Sequence, residues 1–249
     1  MNIFITGATS GIGKALAQKY LQKGHKVAVC GRDKEKFNKE FSNFPQAFFY
    51  AVDVNHFSEL QQAVNDFTQQ TGSLDLMIAN AGISVGKKSS TPNFERGREV
   101  LNTNILGLYN TFQVALEKML PLKKGHIVGV ASVAGLIGLP GAGVYSASKA
   151  AVLKLCEGWA IDLSKQGIFV TAILPGFVDT PLTRINNHAM PFLLTEEKAA
   201  ERMIKAIERK KLRFIFPRPM YWIMLVLQSM PRFLYHHVMK RVSYGRVDS

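Results

Sequence analysis

Cysteine and acid are the scarce components of this 249-residue chain, which carries 2 cysteines and only 18 aspartates and glutamates against 31 lysines and arginines. Cys30 and Cys156 lie far apart, each inside an apolar run, which excludes a disulfide framework and predicts buried free thiols in a reducing compartment. The six histidines have no ligand spacing, and His236 and His237, as neighbours, would point to different sides of a helix, so no metal is expected. No repeat period or low-complexity tract occurs, which sets aside solenoids and extended disorder, the extreme C-terminus excepted. Long apolar runs are missing as well: Met220 to Leu227 is uninterrupted, yet a bilayer span needs about 20 residues. The opening Met1-Asn2-Ile3-Phe4-Ile5 lacks the basic and long apolar regions of a secretory leader, so the expected location is the cytoplasm.

What the chain does have is a composition ordinary for a globular enzyme, 47% hydrophobic and 20% charged. Short β-rich runs alternate with segments of helical period, the pattern of a parallel sheet with crossover helices on both faces. Seven strands are predicted, at Asn2–Thr6, Lys26–Cys30, Ala47–Ala51, Leu74–Ile78, His126–Ala131, Ile168–Leu174 and Arg213–Phe216. Thr195 is a predicted N-cap, followed by a helix with Ala200, Met203, Ile204 and Ile207 on one face. Residues 1–212 read as a dinucleotide-binding and catalytic domain. Residues 213–249 read as the last strand plus an apolar, basic extension packed on that domain or at an interface.

The first strand runs into Thr6-Gly7-Ala8-Thr9-Ser10-Gly11-Ile12-Gly13. Glycines at a strand-to-helix turn let the backbone approach a pyrophosphate, whose charge the helix N-terminus then holds. The GxGxxG spacing is not met, because the third position falls on Leu16. Further on, Tyr145 and Lys149 are four residues apart in Tyr145-Ser146-Ala147-Ser148-Lys149, so a helix puts them on one face. A phenol titrates near about 10, and a cation about 4 Å away is worth about 4 kcal/mol at an effective dielectric near 20. That predicts a Tyr145 pKa lowered by up to about three units, toward the range that suits general acid–base work. Taken singly, Tyr145 reads as a surface aromatic, Lys149 as a solvated charge, Ser132 as a strand-end hydroxyl and Asn104 as a helix-interior amide. Their order and spacing along one chain carry the functional reading.

The TGxxxGxG turn at residues 6–13 together with Tyr145-Ser146-Ala147-Ser148-Lys149 resembles the classical short-chain dehydrogenase/reductase family, and the likeness extends to about residue 182. It implies a single-domain, Rossmann-type doubly wound parallel seven-stranded sheet and an NAD(P)-dependent hydride transfer between nicotinamide and a carbonyl or alcohol carbon. By resemblance the catalytic set is Asn104, Ser132, Tyr145 and Lys149: Tyr145 the general acid/base, Ser132 a hydrogen-bond partner of the substrate oxygen, Asn104 the support of a relay water, and Lys149 also the holder of the nicotinamide ribose. Cofactor contacts implied in the same way are Gly7, Thr9, Ser10, Gly11, Ile12 and Gly13 in the turn, then Asp53 and Val54 at the adenine. Asn80, Ala81 and Gly82 resemble the family's NNAG turn, with Ala79 replacing its first asparagine. Pro175, Gly176, Val178 and Thr180 resemble the segment that closes over the nicotinamide. Gly31 stands where NAD users of the family usually carry an acid, and Arg32 offers a bidentate partner for a 2′-phosphate, so NADP(H) is favoured over NAD(H). Asp33 leaves two roles open: a helix N-cap, or a turn toward the ribose.

Two apolar segments, Val133–Gly143 and Pro181–Leu194, predict an apolar carbonyl or alcohol substrate, or else side chains that pack on the core or on a second subunit. Leu136, Ile137, Leu139, Leu182, Met190, Phe192, Leu193 and Leu194 are the residues concerned. The C-terminal run Tyr221-Trp222-Ile223-Met224-Leu225-Val226-Leu227 is flanked by Arg213, Arg218, Arg232, Lys240 and Arg241. It suits peripheral contact with a membrane surface, an oligomer contact or a cover for the pocket. The resemblance implies a homodimer or homotetramer. A non-enzymatic NADP sensor or scaffold is the alternative, although it need not retain Tyr145 and Lys149. No nucleic-acid partner is expected, since no recognition motif accompanies the charge.

Overall fold

The strands alternate between two apolar faces, and this period sets the architecture. In β1 (Asn2–Thr6), Ile3 and Ile5 point into one core cluster while Phe4 points into the other, so helices must cover both sides. The computed structural model describes residues 1–86, 91–185 and 189–241, with the backbone alone for residue 241. After β1 come α1 (Gly11–Gln22), β2 (Lys26–Cys30), α2 (Lys34–Phe41), β3 (Ala47–Tyr50), α3 (Phe57–Thr71) and β4 (Leu76–Ala79). The middle of the chain holds α4 (Phe94–Leu101), a π-helical turn at Asn102–Leu106, α5 (Gly107–Met119), β5 (Gly125–Val130), α6 (Gly143–Asp162) and β6 (Ile168–Pro175). Then follow α7 (Pro181–Arg184), α8 (Glu196–Glu208), β7 (Arg213–Phe216), α9 (Arg218–Ser229) and α10 (Arg232–Arg241).

All seven strands are parallel, in the order β3-β2-β1-β4-β5-β6-β7, within one domain. Residues of α1 and α8, Leu16, Tyr20, Met203 and Ile207 among them, fill the face of Ile3 and Ile5. Residues of α3, α5 and α6, including Leu60, Phe67, Phe112 and Val152, fill the face of Phe4. Four predicted strands shift by one or two residues at an end. The clearest shift is β4, which starts at Leu76 rather than Leu74 because the Asp75 carboxylate takes the Asn2 N–H at 2.8 Å and the parallel ladder begins one step later, at Ile3 with Leu76. Thr195 caps α8 by accepting from Lys198 N at 3.3 Å, and Ala200, Met203, Ile204 and Ile207 are buried beneath it. Cys30 and Cys156 are buried free thiols.

β7 pairs with β6 from Ala172 with Arg213 to Pro175 with Phe216, so the last strand belongs to the sheet. Beyond it, α9 and α10 set Met220, Met224, Tyr235 and Met239 against Val133 and Ile137. Residues 186–188 of the apolar segment Pro181–Leu194, residues 242–249 of the tail and the Arg241 side chain lie outside the described residues.

One buried imidazole gives the fold a pH dependence. His126 on β5 is hydrogen-bonded to Thr171 Oγ1 of β6 at 2.8 Å, and burial, with Lys210 adding to it, lowers its pKa from 6.5 to about 4. Between these values the unfolded chain binds the proton and the folded chain does not, so stability is complete above pH 6.5 and falls as the pH drops toward 4. At about 1.36 kcal/mol per pH unit the expected loss is about 3 kcal/mol. Urea titrations across this range should show that loss, with His126→Gln flattening it.

Candidate active site

The sheet order reverses direction between β1 and β4, and their C-terminal ends diverge to open a crevice. Thr6, the last residue of β1, ties the two rims together. Its Oγ1 accepts from the N–H groups of Asn80 and Ala81, each at 3.2 Å, while Asn80 Nδ2 donates to the carbonyls of Thr6 at 3.1 Å and Gly7 at 3.0 Å. Gly7 adopts φ +63°, and a Cβ there would stand 2.7 Å from Ala81 Cα, so both conformation and crowding demand glycine. Ser10 begins α1 without a side-chain cap. The first-turn amides of α1 therefore keep their donors and the positive end of the helix dipole for whatever occupies the crevice.

A cleft of about 510 Å³ follows the C-terminal edge of the sheet. Past β2 and β3 it is lined by Thr9, Gly31, Arg32, Asp53 and Val54. Its middle is lined by Gly7, Ser10, Gly11 and Ile12, with Asn80, Ala81 and Gly82 opposite. Past β5 and β6 it is lined by Ser132, Tyr145, Lys149, Pro175, Gly176, Val178 and Thr180. Two residues named from the sequence do not reach it. Gly13 packs beneath the turn, where a Cβ would lie 2.3 Å from Gly7 O, and Asn104 is buried at 1% exposure.

The π-helical turn sets Asn104. Its Oδ1 accepts from Ile83 N at 2.8 Å, and its Nδ2 donates to Ile83 O at 3.0 Å and to Ser148 Oγ at 3.0 Å. Ser148 Oγ in turn donates to Tyr145 O at 2.8 Å, so one chain of hydrogen bonds joins the strand-4 rim to the helix that carries Tyr145 and Lys149. Sequence reasoning passed over Ser148, although its place between Tyr145 and Lys149 on one helical face was a usable signal. It also passed over Arg96 and Glu99, which line the cleft and pair at 2.5 Å; on an amphipathic helix they read as solvated charges.

Tyr145 and Ser132 line the same end of the cleft, and the Ser132 hydroxyl also accepts from Ala134 N at 3.1 Å. Lys149 Nζ lies 5.9 Å from the Tyr145 ring centroid and donates to Val130 O at 2.9 Å. Burial pushes the Tyr145 pKa up, against a smaller downward pull from Ser132, and burial alone lowers Lys149 from 10.5 to about 8. The sequence predicted the opposite direction for the phenol. The spacing does bring the two residues together, but desolvation acts on both and outweighs their attraction. Among the protein's own groups, Tyr145 is therefore a protonated hydroxyl at neutral pH, able to donate.

At the other end, Arg32 is 77% exposed and pairs with Asp53 at 3.4 Å. Asp33 takes the capping role: its carboxylate accepts from Lys36 N at 2.9 Å and pairs with Lys36 Nζ at 2.8 Å. A Cβ on Gly31 would lie 2.7 Å from the Thr9 methyl, so the position has no room for an acidic side chain while Thr9 stands as it does. Of the apolar segments, Leu182 lines the cleft, Val133 and Ile137 are buried against the C-terminal helices with Leu136 and Leu139 beside them, and Phe192 and Leu193 are exposed. Among the described residues no group of His, Cys, Asp or Glu could hold a metal ion.

A family model described as short chain dehydrogenase matches residues 1–191. An uncharacterized oxidoreductase of Myxococcus xanthus is 36% identical over 218 residues, 86% of each chain. An uncharacterized oxidoreductase of Staphylococcus aureus strain USA300 is 34% identical over 209 residues, covering 83% of this chain and 90% of its own. Among solved structures, ElxO with NADP bound superposes with a TM-score of 0.77 at 27% identity, covering 86% of this chain and 96% of its own. An actinorhodin polyketide ketoreductase variant with NADPH gives a TM-score of 0.77 at 26% identity over 86% of this chain and 95% of its own. For fold alone, a short-chain dehydrogenase from Streptomyces avermitilis reaches 0.83 at 22% identity, with coverage of 96% and 97%.

Proposed function

Because the chain belongs to the short-chain dehydrogenase/reductase family and is an NAD(P)-dependent oxidoreductase, we propose that it interconverts apolar carbonyls and alcohols with NADP(H), Tyr145 exchanging the proton. The observation that carries this reading is the continuity of the cleft, which runs from an uncapped helix N-terminus and a glycine turn to a half-buried phenol and hydroxyl and a buried amine.

The chain's own groups suit a dinucleotide. The Gly7 turn brings backbone rather than side chains to the crevice, and the α1 amides favour a pyrophosphate. Arg32 favours a 2′-phosphate at the adenosine end, with Asp33 held in its cap and a glycine rather than an acid at residue 31. The solved neighbours that bind NADP or NADPH support the same choice. When bound, the nicotinamide supplies or takes up the hydride.

For reduction, the raised Tyr145 phenol donates its proton to the carbonyl oxygen, and Ser132 shares the hydrogen bond to that oxygen. The ammonium of Lys149 steadies the phenolate that forms. Asn104 and Ser148 hold the Tyr145 helix in place, while Ile83 and Leu182 give the cleft an apolar lining that suits an apolar substrate. Leu101, Leu106, Tyr109 and Ile161, exposed on the α4–α6 side, suit the homodimer or homotetramer common in the family.

The experiment is NADPH oxidation over a panel of carbonyls. Apolar ketones and aldehydes are expected to exceed charged sugars and hydroxy acids in kcat/KM; the reverse order would overturn the substrate class. Arg32→Ala is expected to weaken NADPH binding about tenfold, the loss of one solvent-exposed charge-assisted contact, while leaving NADH binding unchanged. Equal effects on the two cofactors in fluorescence titrations would overturn the NADP preference.

A further inference from the structure

The outer face of the C-terminal helix pair is built differently from the rest of the surface. On the inner side α9 and α10 lay Met220, Met224, Tyr235 and Met239 on Val133 and Ile137, and the Tyr235 hydroxyl donates to Gly138 O. With those stripes committed inward, the opposite side of each helix faces away from the domain, and it is apolar where a surface helix is ordinarily polar. Trp222 is 61% exposed, Val226 62% and Phe233 79%, and Ile223 and Leu234 are exposed beside them. Arg218, Arg232 and Lys240 are exposed on the same two helices. From residue 209 to residue 247 the sequence has nine lysines and arginines and not one acid. Elsewhere the basic surface is balanced by pairs such as Lys19 with Glu201, Lys23 with Glu208 and Arg184 with Asp179.

The combination selects among occupants. A second copy of this face would bring like charges together with no acid to answer them. A nucleic acid would engage the cations and leave Trp222, Val226 and Phe233 in water. A lipid surface with anionic headgroups meets both requirements, because amphipathic helices with bulky apolar residues on one side and bordering cations sit at the boundary between headgroups and acyl chains. We propose that α9 and α10 form a docking surface for an anionic lipid bilayer, with Trp222, Val226 and Phe233 entering the interface and Arg218, Arg232 and Lys240 meeting the headgroups. The contact is peripheral: among the described residues no helix is long and apolar enough to cross a membrane. It stands apart from the catalytic reading, since none of these six residues lines the cleft.

Flotation of the full-length protein with vesicles tests it. Partition onto phosphatidylcholine mixed with phosphatidylglycerol is expected to exceed partition onto phosphatidylcholine alone about a hundredfold, three cations contributing about fivefold each, and to weaken as salt rises. Trp222→Asp combined with Phe233→Asp should abolish flotation, and Arg218→Glu with Arg232→Glu and Lys240→Glu should remove the preference for anionic vesicles. Both variants should keep wild-type NADPH binding and melting temperature, which shows that the domain is intact. Wild-type protein that does not float with anionic vesicles, or an aspartate variant that floats as well as wild type, overturns the proposal. So does sedimentation showing that the aspartate pair dissociates a dimer while no protein floats, which assigns the face to a second copy.

Discussion

Lys149→Met is expected to make the protein more stable at pH 7 and far less active. Burial holds the Lys149 ammonium at a pKa of about 8 against 10.5 for the free side chain. A group whose folded pKa is depressed lowers stability most when it is charged in both states, below pH 8, and the deficit closes as the pH climbs from 8 to 10.5. The gap corresponds to about 3 kcal/mol. Methionine removes that cost but leaves Val130 O without its 2.9 Å donor, a loss of about 1 kcal/mol or more. A net gain of about 1–2 kcal/mol is therefore expected by urea denaturation at pH 7, shrinking toward zero and reversing by pH 10.5. Turnover should fall by about a hundredfold or more, as expected when the charge supporting proton transfer is lost. A variant less stable than wild type at pH 7 would mean that the ammonium is solvated or paired in a way its burial at 5% exposure does not suggest.

Tyr145→Phe should separate chemistry from everything else. The substitution deletes one hydroxyl at the Ser132 end of the cleft and leaves the ring in place. Removal of a positioned proton donor costs about 100- to 10,000-fold in rate. The expected result is a fall of about a thousandfold in kcat/KM for carbonyl reduction, with NADPH affinity within about twofold of wild type and an unchanged melting temperature. A matching rise in the NADPH dissociation constant would place the hydroxyl in binding rather than catalysis.

The sheet was legible because its signals are local. Strand period two and helical period each depend on a few neighbouring residues, and all seven strands lie where those patterns put them, to within two residues. The Tyr145 and Lys149 pairing was legible for the same reason, since four residues on a helix is a fixed geometry. The electrostatics were not, because the phenol's pKa depends on how much water the assembled fold leaves around it. Spacing says nothing of that, and the sign predicted from charge alone came out reversed. Asn104 was named, yet its buried role follows from a π-helical turn that no local propensity marks. Asp33 was left between two roles until the start of α2 fixed its carboxylate on Lys36. The apolar segment 133–143 showed the same limit: its leucines and isoleucine were visible, but only the position of α9 and α10 reveals that Ile137 is buried against Met220 and Tyr235.

The most direct test is a crystal structure of the protein with NADPH. The adenosine phosphate is expected against Arg32, the pyrophosphate over the Gly11 amide, and the nicotinamide between Gly176 and the hydroxyls of Tyr145 and Ser132. A dinucleotide bound elsewhere, or one whose nicotinamide lies out of reach of the Tyr145 hydroxyl, would contradict a catalytic site built on this cleft.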